Sequence, residues 1–114
     1  MIINIKKLKH MLNTCIILPK YKCAVIVSNF VRAKCIMNFI IKSTNSNISD
    51  LFNIGNNYIK FDNGSIIYVI LNDYPFLGLR VNELIYDDNI AENIIKTIYE
   101  PMYIPYIYSK EYTK

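Results

Sequence analysis

Apolar residues near the start of the chain recur at the spacing of one helical face. These apolar positions are Ile5, Leu8, Met11, Leu12 and Ile16. Lysines and Asn13 occupy the positions between them, so the polar residues fall on the opposite side. This pattern predicts a basic amphipathic helix over residues 5–17, which ends at the segment that contains Pro19.

A continuous apolar run follows, and its pattern is different. Residues 22–28, KCAVIVS, are short and rich in β-branched side chains, which is typical of a strand buried on both faces. Ser28 or Asn29 can cap the next element, and residues 30–42 return to helical spacing. The positions expected to face inward on this second helix are Phe30, Ala33, Met37, Ile40 and Ile41. Strand, cap and helix in immediate succession predict an α/β unit.

The strongest local signal lies in the middle of the chain. The dipeptide Asn63-Gly64 separates two strand-like runs, residues 58–61 and 66–71. This arrangement predicts a β-hairpin closed by a primed turn. The preceding polar stretch, residues 43–50, predicts a loop.

Two further elements complete the pattern. Residues 82–88, NELIYDD, read as a strand, and residues 89–100, NIAENIIKTIYE, read as a helix. Asp88 or Asn89 would cap this helix, and Pro101 would stop it.

Together these elements predict one domain, residues 1–114, of the α/β class. We expect a small mixed β-sheet with helices packed on its faces. The strands at 22–28 and 83–87 should be central and parallel, and the 58–71 hairpin should lie to one side.

Composition changes this picture in one respect, the setting in which the protein works. The chain is 53% hydrophobic and 19% charged, which indicates a globular protein. Its heavy use of Ile, Asn, Lys and Tyr is typical of an AT-rich genome, such as that of many phages. It has no apolar run of about 18 to 20 residues and no secretory cleavage pattern. We therefore expect a soluble protein of the host-cell cytoplasm, with no membrane partner.

The chain has a net charge of +4, and its basic residues form a cluster near the start, while Lys110 and Lys114 lie at the end. The cluster consists of Lys6, Lys7, Lys9 and His10. Such a cluster is a candidate nucleic-acid-binding face. A solvated basic N-terminus that keeps an apolar domain soluble is the interpretation that we favour.

The three cysteines show no metal-binding spacing. Cys15, Cys23 and Cys35 contain no Cys-x-x-Cys pair, and His10 is the only histidine. We therefore expect no metal site and no cofactor. Cys23 and Cys35 lie in apolar runs and are predicted to be small core residues. A catalytic Cys15–His10 pair remains an alternative.

The order of the elements resembles part of a known family. Residues 22–34 (KCAVIVSNFVRAK), 59–70 (IKFDNGSIIYVI) and 76–88 (FLGLRVNELIYDD) resemble successive segments of the ATPase domain of phage terminase large subunits. The resemblance covers roughly residues 20–90. It implies a fold like a P-loop ATPase core with a β-hairpin, and it implies that Asp87 matches the aspartate that holds magnesium through water.

The chain departs from that family at the positions that carry the chemistry. Asp88 stands where the family has a glutamate that orients water, and Leu77 replaces the arginine before the loop glycine, Gly78. No glycine precedes a Lys-Ser or Lys-Thr pair, so the phosphate-binding loop is missing. We therefore expect a truncated core that is not an enzyme by itself. Asp87 and Asp88 could instead cap the following helix.

The end of the chain is rich in tyrosine. Residues 102–108 alternate like a strand, although Pro105 confines such a strand to a sheet edge. Tyrosine suits contact surfaces because it combines a large apolar area with a polar group. The candidate partner-binding residues are Tyr99, Tyr103, Tyr106, Tyr108 and Tyr112. Half-buried tyrosines on an edge strand are the alternative interpretation.

Three functions are consistent with these patterns. The first is a small non-catalytic binding protein of phage or mobile-element type, which inhibits a host macromolecule such as a defence complex. The second is a component of a split packaging ATPase. The third is an accessory protein that binds nucleic acid through its basic face. A protein or nucleoprotein partner is expected in the first.

Overall fold

The computed structural model describes residues 4–44, 48–52, 57–72, 79–87 and 90–106. Two long helices, five strands and a C-terminal helical segment make up these ranges. In chain order they are α1 (Ile5–Ile17), β1 (Lys22–Val27), α2 (Phe30–Thr44), β2 (Ile48–Phe52), β3 (Asn57–Phe61), β4 (Ile66–Leu71), β5 (Glu83–Tyr86) and the C-terminal helical segment, which joins α3 (Glu92–Ile94) to a π-helical turn (Ile95–Tyr99) and a 3-10 turn (Glu100–Met102). Within the described ranges, no helix combines the length and the apolar character needed to cross a bilayer.

The five strands form one mixed sheet in the order β2-β3-β4-β1-β5. β1 pairs in parallel with both β4 and β5, while β3 pairs antiparallel with β2 and β4. The predicted α/β class, the mixed sheet and the parallel pairing of β1 with β5 are therefore confirmed. The central position predicted for β5 is wrong: the hairpin occupies one side of β1, and β5 forms the edge strand on the other.

β1 is buried on both faces, as its continuous apolar run predicts. Cys23, Val25 and Val27 belong to the core beneath α1 and α2. Ala24 and Ile26 belong to a second core beneath the C-terminal helical segment. Full burial of a Val or Ile side chain contributes about 1.5–3 kcal/mol, so β1 anchors both layers of helix.

The two long helices begin at asparagine caps. The Asn4 side chain accepts hydrogen bonds from the N–H groups of Lys6 and Lys7, and Asn29 Oδ1 accepts one from the Arg32 N–H at 2.9 Å. Each cap satisfies N–H groups that the first helical turn leaves without partners. The bounds predicted for α1 are confirmed, and α2 runs two residues beyond its predicted end.

The inward faces of the two helices differ in detail from the predicted ones. Ile16 of α1 is 37% exposed and Phe30 of α2 is 50% exposed, whereas Cys15 and Ile36 are buried. Phe30 lies in the first turn of α2, where the Lys34 ammonium sits 5.3 Å from its ring centre. Helical spacing defines a stripe of positions, but the reach of the sheet beneath decides which of them are covered.

The predicted hairpin is present, but its turn is not a primed one. The Gly64 N–H donates to the Phe61 carbonyl at 3.0 Å, and the Phe61 N–H donates to the Ser65 carbonyl at 2.8 Å. Gly64 has a φ of +88°, and Asn63 is not among the described residues with positive φ. These features match a three-residue connection that ends in a left-handed glycine.

The hairpin turn also holds the end of α1. The Asn63 amide donates to the carbonyls of Cys15, Ile16 and Leu18, at 2.8, 3.1 and 3.2 Å. The Ser65 hydroxyl donates to the Leu18 carbonyl at 2.7 Å. These bonds satisfy carbonyls that a helix end otherwise leaves unpaired, so Asn63 and Ser65 of the NGS segment act as structural residues.

The loop predicted for residues 43–50 is wrong at both of its ends, because α2 continues to Thr44 and β2 begins at Ile48. β2 pairs antiparallel with β3. Pairing with a well-formed neighbouring strand outweighs the weak intrinsic preference of a polar stretch.

The C-terminal helical segment starts later than predicted and continues past the predicted stop. Its N-cap is Ala91, with no side-chain cap, and Pro101 lies inside its last turn. Beyond it, Tyr103 makes a single parallel bridge to Val81 in place of the predicted strand, within the described residues.

Candidate functional site

Asp87 lies where the parallel strand β5 ends, beside the start of α2. It is fully buried, and its Oδ2 accepts hydrogen bonds from the Ser28 N–H at 3.1 Å and the Ser28 hydroxyl at 2.7 Å. Arg32 Nη1 donates to both Asp87 oxygens at 2.6 Å and to Ser28 Oγ at 3.1 Å. These three residues form the Asp87 cluster.

The Asp87 cluster occupies the place where open α/β sheets often bind ligands, outside the carboxyl ends of parallel strands. Its chemistry is nevertheless that of a closed ion pair. Arg32 is 27% exposed on its side chain and covers a carboxylate that is not exposed at all. A magnesium ion would have to displace Arg32 to reach this carboxylate, and the residues described include no group of three or more potential metal ligands.

The prediction that Asp87 caps the following helix is wrong. The C-terminal helical segment has its N-cap at Ala91, where no side chain accepts a cap hydrogen bond. Asp87 instead binds Ser28, which precedes α2, and Arg32, which lies in the first turn of α2. Asp88, Leu77 and Gly78, which the terminase resemblance brought into consideration, lie outside the described residues.

The predicted basic cluster lies on the exposed side of α1. Lys6, Lys7, Lys9 and His10 are all exposed. Lys6, Lys7 and His10 line an open groove of about 440 Å³ together with Glu83, Leu84 and Ile85 of β5. We call this the basic groove.

A second open groove lies along the same strand. It has a volume of about 480 Å³ and is lined by Asn82, Glu83, Leu84, Tyr86, Glu100 and Tyr103. Glu83 and Leu84 line both grooves, so the two depressions flank a single strand. We call this second depression the tyrosine groove.

The edge of β5 between the grooves carries backbone groups that face away from β1. The Asp87 N–H donates to the Ile26 carbonyl at 2.9 Å. Backbone groups alternate sides along a strand, so Leu84 and Tyr86 direct their N–H and carbonyl groups outward. Earlier in the chain, Val81 uses its outward groups to bond Met102 and Ile104, at 2.9 and 2.8 Å.

The candidate tyrosines have different environments. Tyr99 is fully buried and its hydroxyl contacts Asn72, so it is a core residue and offers no surface to a partner. Tyr103 is 53% exposed. Tyr106 is half-buried, with its hydroxyl donating to the Pro19 carbonyl at 2.7 Å and its ring 5.1 Å from that of Tyr21. Tyr108 and Tyr112 lie outside the described residues.

The cysteines correct one prediction and confirm another. Cys23 is buried as predicted, whereas Cys35 is exposed. Cys15 lies in the core with its sulfur 3.4 Å from that of Cys23, and burial raises the pKa of the Cys23 thiol. Since His10 is exposed and Cys15 is buried, the structure does not bring the alternative Cys15–His10 pair together.

Sequence reasoning missed two features of this region. One is the role of Arg32 as the partner of Asp87, and the other is the exposure of β5 as an edge. The first could have been predicted from the sequence, because Arg32 places a positive charge in the first turn of α2, where the helix dipole disfavours it. A nearby carboxylate would offset this unfavourable interaction.

No protein-family model, no curated protein and no solved structure matches this chain. The resemblance to terminase ATPase domains therefore stays a prediction from the sequence. The chemistry of the chain has to be argued from its own geometry.

Proposed function

We propose that this chain is a small non-catalytic binding protein, which inhibits a host macromolecule by occupying it. In this proposal it is a phage or mobile-element protein that acts in the host cytoplasm on a protein or nucleoprotein partner. Its core would be a reduced form of a P-loop ATPase domain. The open edge at β5 is the surface through which it would bind.

One observation carries the proposal: β5 is an edge strand with a groove on each side. An extended segment that adds to a sheet edge gains affinity from main-chain hydrogen bonds, and pockets on the two faces supply specificity. Leu84 and Tyr86 direct backbone groups outward, while the basic and tyrosine grooves receive alternate side chains. Unprotected edge strands are ready templates for pairing with another chain.

The closed Asp87 cluster supports the non-catalytic part of the proposal. Phosphoryl transfer depends on metal ions and cationic groups that stabilise charge on the phosphates. Here both oxygens of the candidate carboxylate, Asp87, accept hydrogen bonds from Arg32. The competing function, a split packaging ATPase, needs Arg32 to leave Asp87 and needs a phosphate-binding loop from another chain.

The test compares two substitutions at the same edge position. Leu84→Pro removes an outward N–H donor, and a proline can be accommodated at this position because β5 is an edge strand. Leu84→Ala removes most of the side chain and keeps the donor. We expect the wild-type chain to retain a stoichiometric partner from host lysate and to inhibit its activity. Leu84→Pro should weaken binding at least about tenfold relative to Leu84→Ala, because it loses a hydrogen bond and the strand register.

Thermal unfolding of both variants shows whether each remains folded. Equal binding by folded Leu84→Pro and Leu84→Ala would place the interface elsewhere, and recovery of no partner would overturn the proposed function. Binding of Mg²⁺–ATP, by the chain alone or after mixing with a chain that carries a phosphate-binding loop, would favour the split ATPase instead.

A further inference from the structure

The two grooves beside β5 differ in charge, and the difference specifies what can bind there. We infer that the strand which adds to β5 alternates acidic residues with arginine, with the acids in the basic groove and the arginines in the tyrosine groove. This inference rests on the proposed function, because it describes the partner segment at the same edge.

The basic groove selects acidic side chains. Lys6, Lys7 and His10 line it, and α1 contains no acidic residue. Among the described residues of its lining the one acid is Glu83, which already accepts a hydrogen bond from the Tyr21 hydroxyl at 3.0 Å. A carboxylate that enters this groove therefore meets two exposed ammonium groups, whose attraction is modest and weakened by salt.

The tyrosine groove selects a guanidinium group. Tyr86 and Tyr103 provide aromatic rings, Glu100 provides a carboxylate, and the described residues that line the groove include no lysine or arginine. Burial raises the pKa of Tyr86, and the charge of the nearby Glu100 carboxylate raises it further. Arginine fits such a site because it stacks on aromatic faces and pairs with carboxylates.

An extended strand delivers both groups because its side chains alternate between its two faces. An arrangement with a period of two therefore places every acid on one side and every arginine on the other. Nucleic acid fits the edge less well, since its phosphates would meet Glu83 and Glu100 as well as the lysines. The charge pattern thus favours a protein segment.

The decisive experiment uses two labelled peptides of about ten residues, within the usual length of a strand. One alternates Glu and Arg, and the other has the same composition arranged as Glu-Glu-Arg-Arg blocks. Fluorescence anisotropy should show that the alternating peptide binds at least about tenfold more tightly, because only its faces match both grooves over several pairs. Equal affinity of the two peptides would overturn the inference.

Matched charge reversals on α1 locate the acidic side of the peptide. Lys7→Glu changes a residue of the basic groove, and Lys9→Glu changes an equally exposed residue outside it. The alternating peptide should bind more weakly to Lys7→Glu than to Lys9→Glu, and the difference should shrink at high salt. Equal loss in the two variants would contradict placement in the groove.

The Leu84→Pro variant separates failure of the inference from failure of the proposed function. If neither peptide binds, but a host partner is lost specifically with Leu84→Pro, the peptide chemistry is wrong and the strand-addition function stands. If neither peptide nor any edge-dependent partner binds, both fail. A dimer in sedimentation that Leu84→Pro dissociates would assign the edge to a second copy, and binding of a single-stranded oligonucleotide at the edge would assign it to nucleic acid; either overturns the inference.

Discussion

Two charged regions at the borders of the sheet differ in how completely their polar groups are satisfied. In the Asp87 cluster, a fully buried carboxylate accepts hydrogen bonds from Ser28 and Arg32. Along β5, the exposed ammonium groups of Lys6 and Lys7 face an open groove. The first region is closed by the chain itself, while in the second no strand among the described residues pairs with the outer edge of β5.

This difference separates a residue that resembles a catalytic group from a surface that can bind. Asp87 matches a magnesium-binding aspartate by its place in the sequence, yet its partners make it part of the framework. The β5 edge carries no recognisable motif, yet it has outward backbone groups and two grooves. The candidate interface is therefore proposed from solvent access and from outward backbone groups, and not from sequence resemblance.

The largest effect should come from opening the closed region. Arg32→Ala leaves the buried Asp87 carboxylate without its cation, which costs about 3–5 kcal/mol for a buried pair. Because Arg32 is partly exposed, we expect a value of about 3 kcal/mol. Urea denaturation of the variant and the wild type measures this difference in the free energy of unfolding.

Lys34→Ala is the matched control for this prediction. Lys34 lies on the same helix, and its ammonium contacts the exposed Phe30 ring, so its loss should cost less than about 1 kcal/mol. Equal destabilisation by Arg32→Ala and Lys34→Ala would show that the Arg32–Asp87 pair contributes no more than a surface contact. The contrast between a closed and an open region would then fail.

A smaller effect should separate the buried and the exposed tyrosines. The Tyr99 hydroxyl lies 2.7 Å from Asn72 Oδ1 and 3.1 Å from the Asn72 carbonyl. Tyr99→Phe removes this donor from the core and should cost about 1–2 kcal/mol. Tyr103→Phe changes a side chain that borders the open tyrosine groove and should stay within about 0.5 kcal/mol.

Thermal denaturation of the two tyrosine variants side by side makes this comparison. Binding of the partner should show the opposite order, because of these two tyrosines only Tyr103 lines the proposed interface. Stronger destabilisation by Tyr103→Phe than by Tyr99→Phe would contradict the assignment of Tyr99 to the core.

The sequence predicted best the elements whose signals are local. The bounds of α1 followed from helical spacing that Pro19 interrupts, and the Asn4 cap seen in the structure agrees with them. The double burial of β1 followed from an unbroken apolar run between polar residues. The hairpin at Asn63 followed from a turn dipeptide between two β-rich runs. In each case the determining residues lie within one element and its immediate neighbours.

The sequence predicted worst the features that depend on distant residues. Arg32 and Asp87 are separated by the whole of the hairpin, so their pairing is visible only in the fold. β2 owes its existence to pairing with β3, and β5 owes its edge position to the hairpin on the far side of β1. Cys35 lies in an apolar run but on the solvent side of α2. Strand order and helix orientation decided each of these outcomes.

The smallest expected effect is on the pH dependence of stability. It is absent near neutral pH and appears as a loss of stability in alkali. Burial raises the pKa values of Tyr68 and Tyr86, and burial followed by the hydrogen bond to Glu83 raises that of Tyr21. The unfolded chain releases tyrosine protons near pH 10. The folded state therefore retains tyrosine protons that the unfolded state loses, so the contribution of these tyrosines to stability is complete below about pH 10 and falls as the pH rises above it.

The variant Tyr21→Phe should flatten this alkaline decline, because it removes one of the groups that titrate differently in the two states. Denaturant midpoints measured between about pH 8 and pH 11 give the slope for the variant and the wild type, with Tyr103→Phe as the matched change at an exposed position. Cys23 contributes an earlier decline from about pH 8.5, since burial also raises the pKa of its thiol. An unchanged slope in Tyr21→Phe would show that the Tyr21 phenol is neither buried nor hydrogen-bonded to Glu83 in solution, and the side of the basic groove beneath β5 would then be more open than the structure shows.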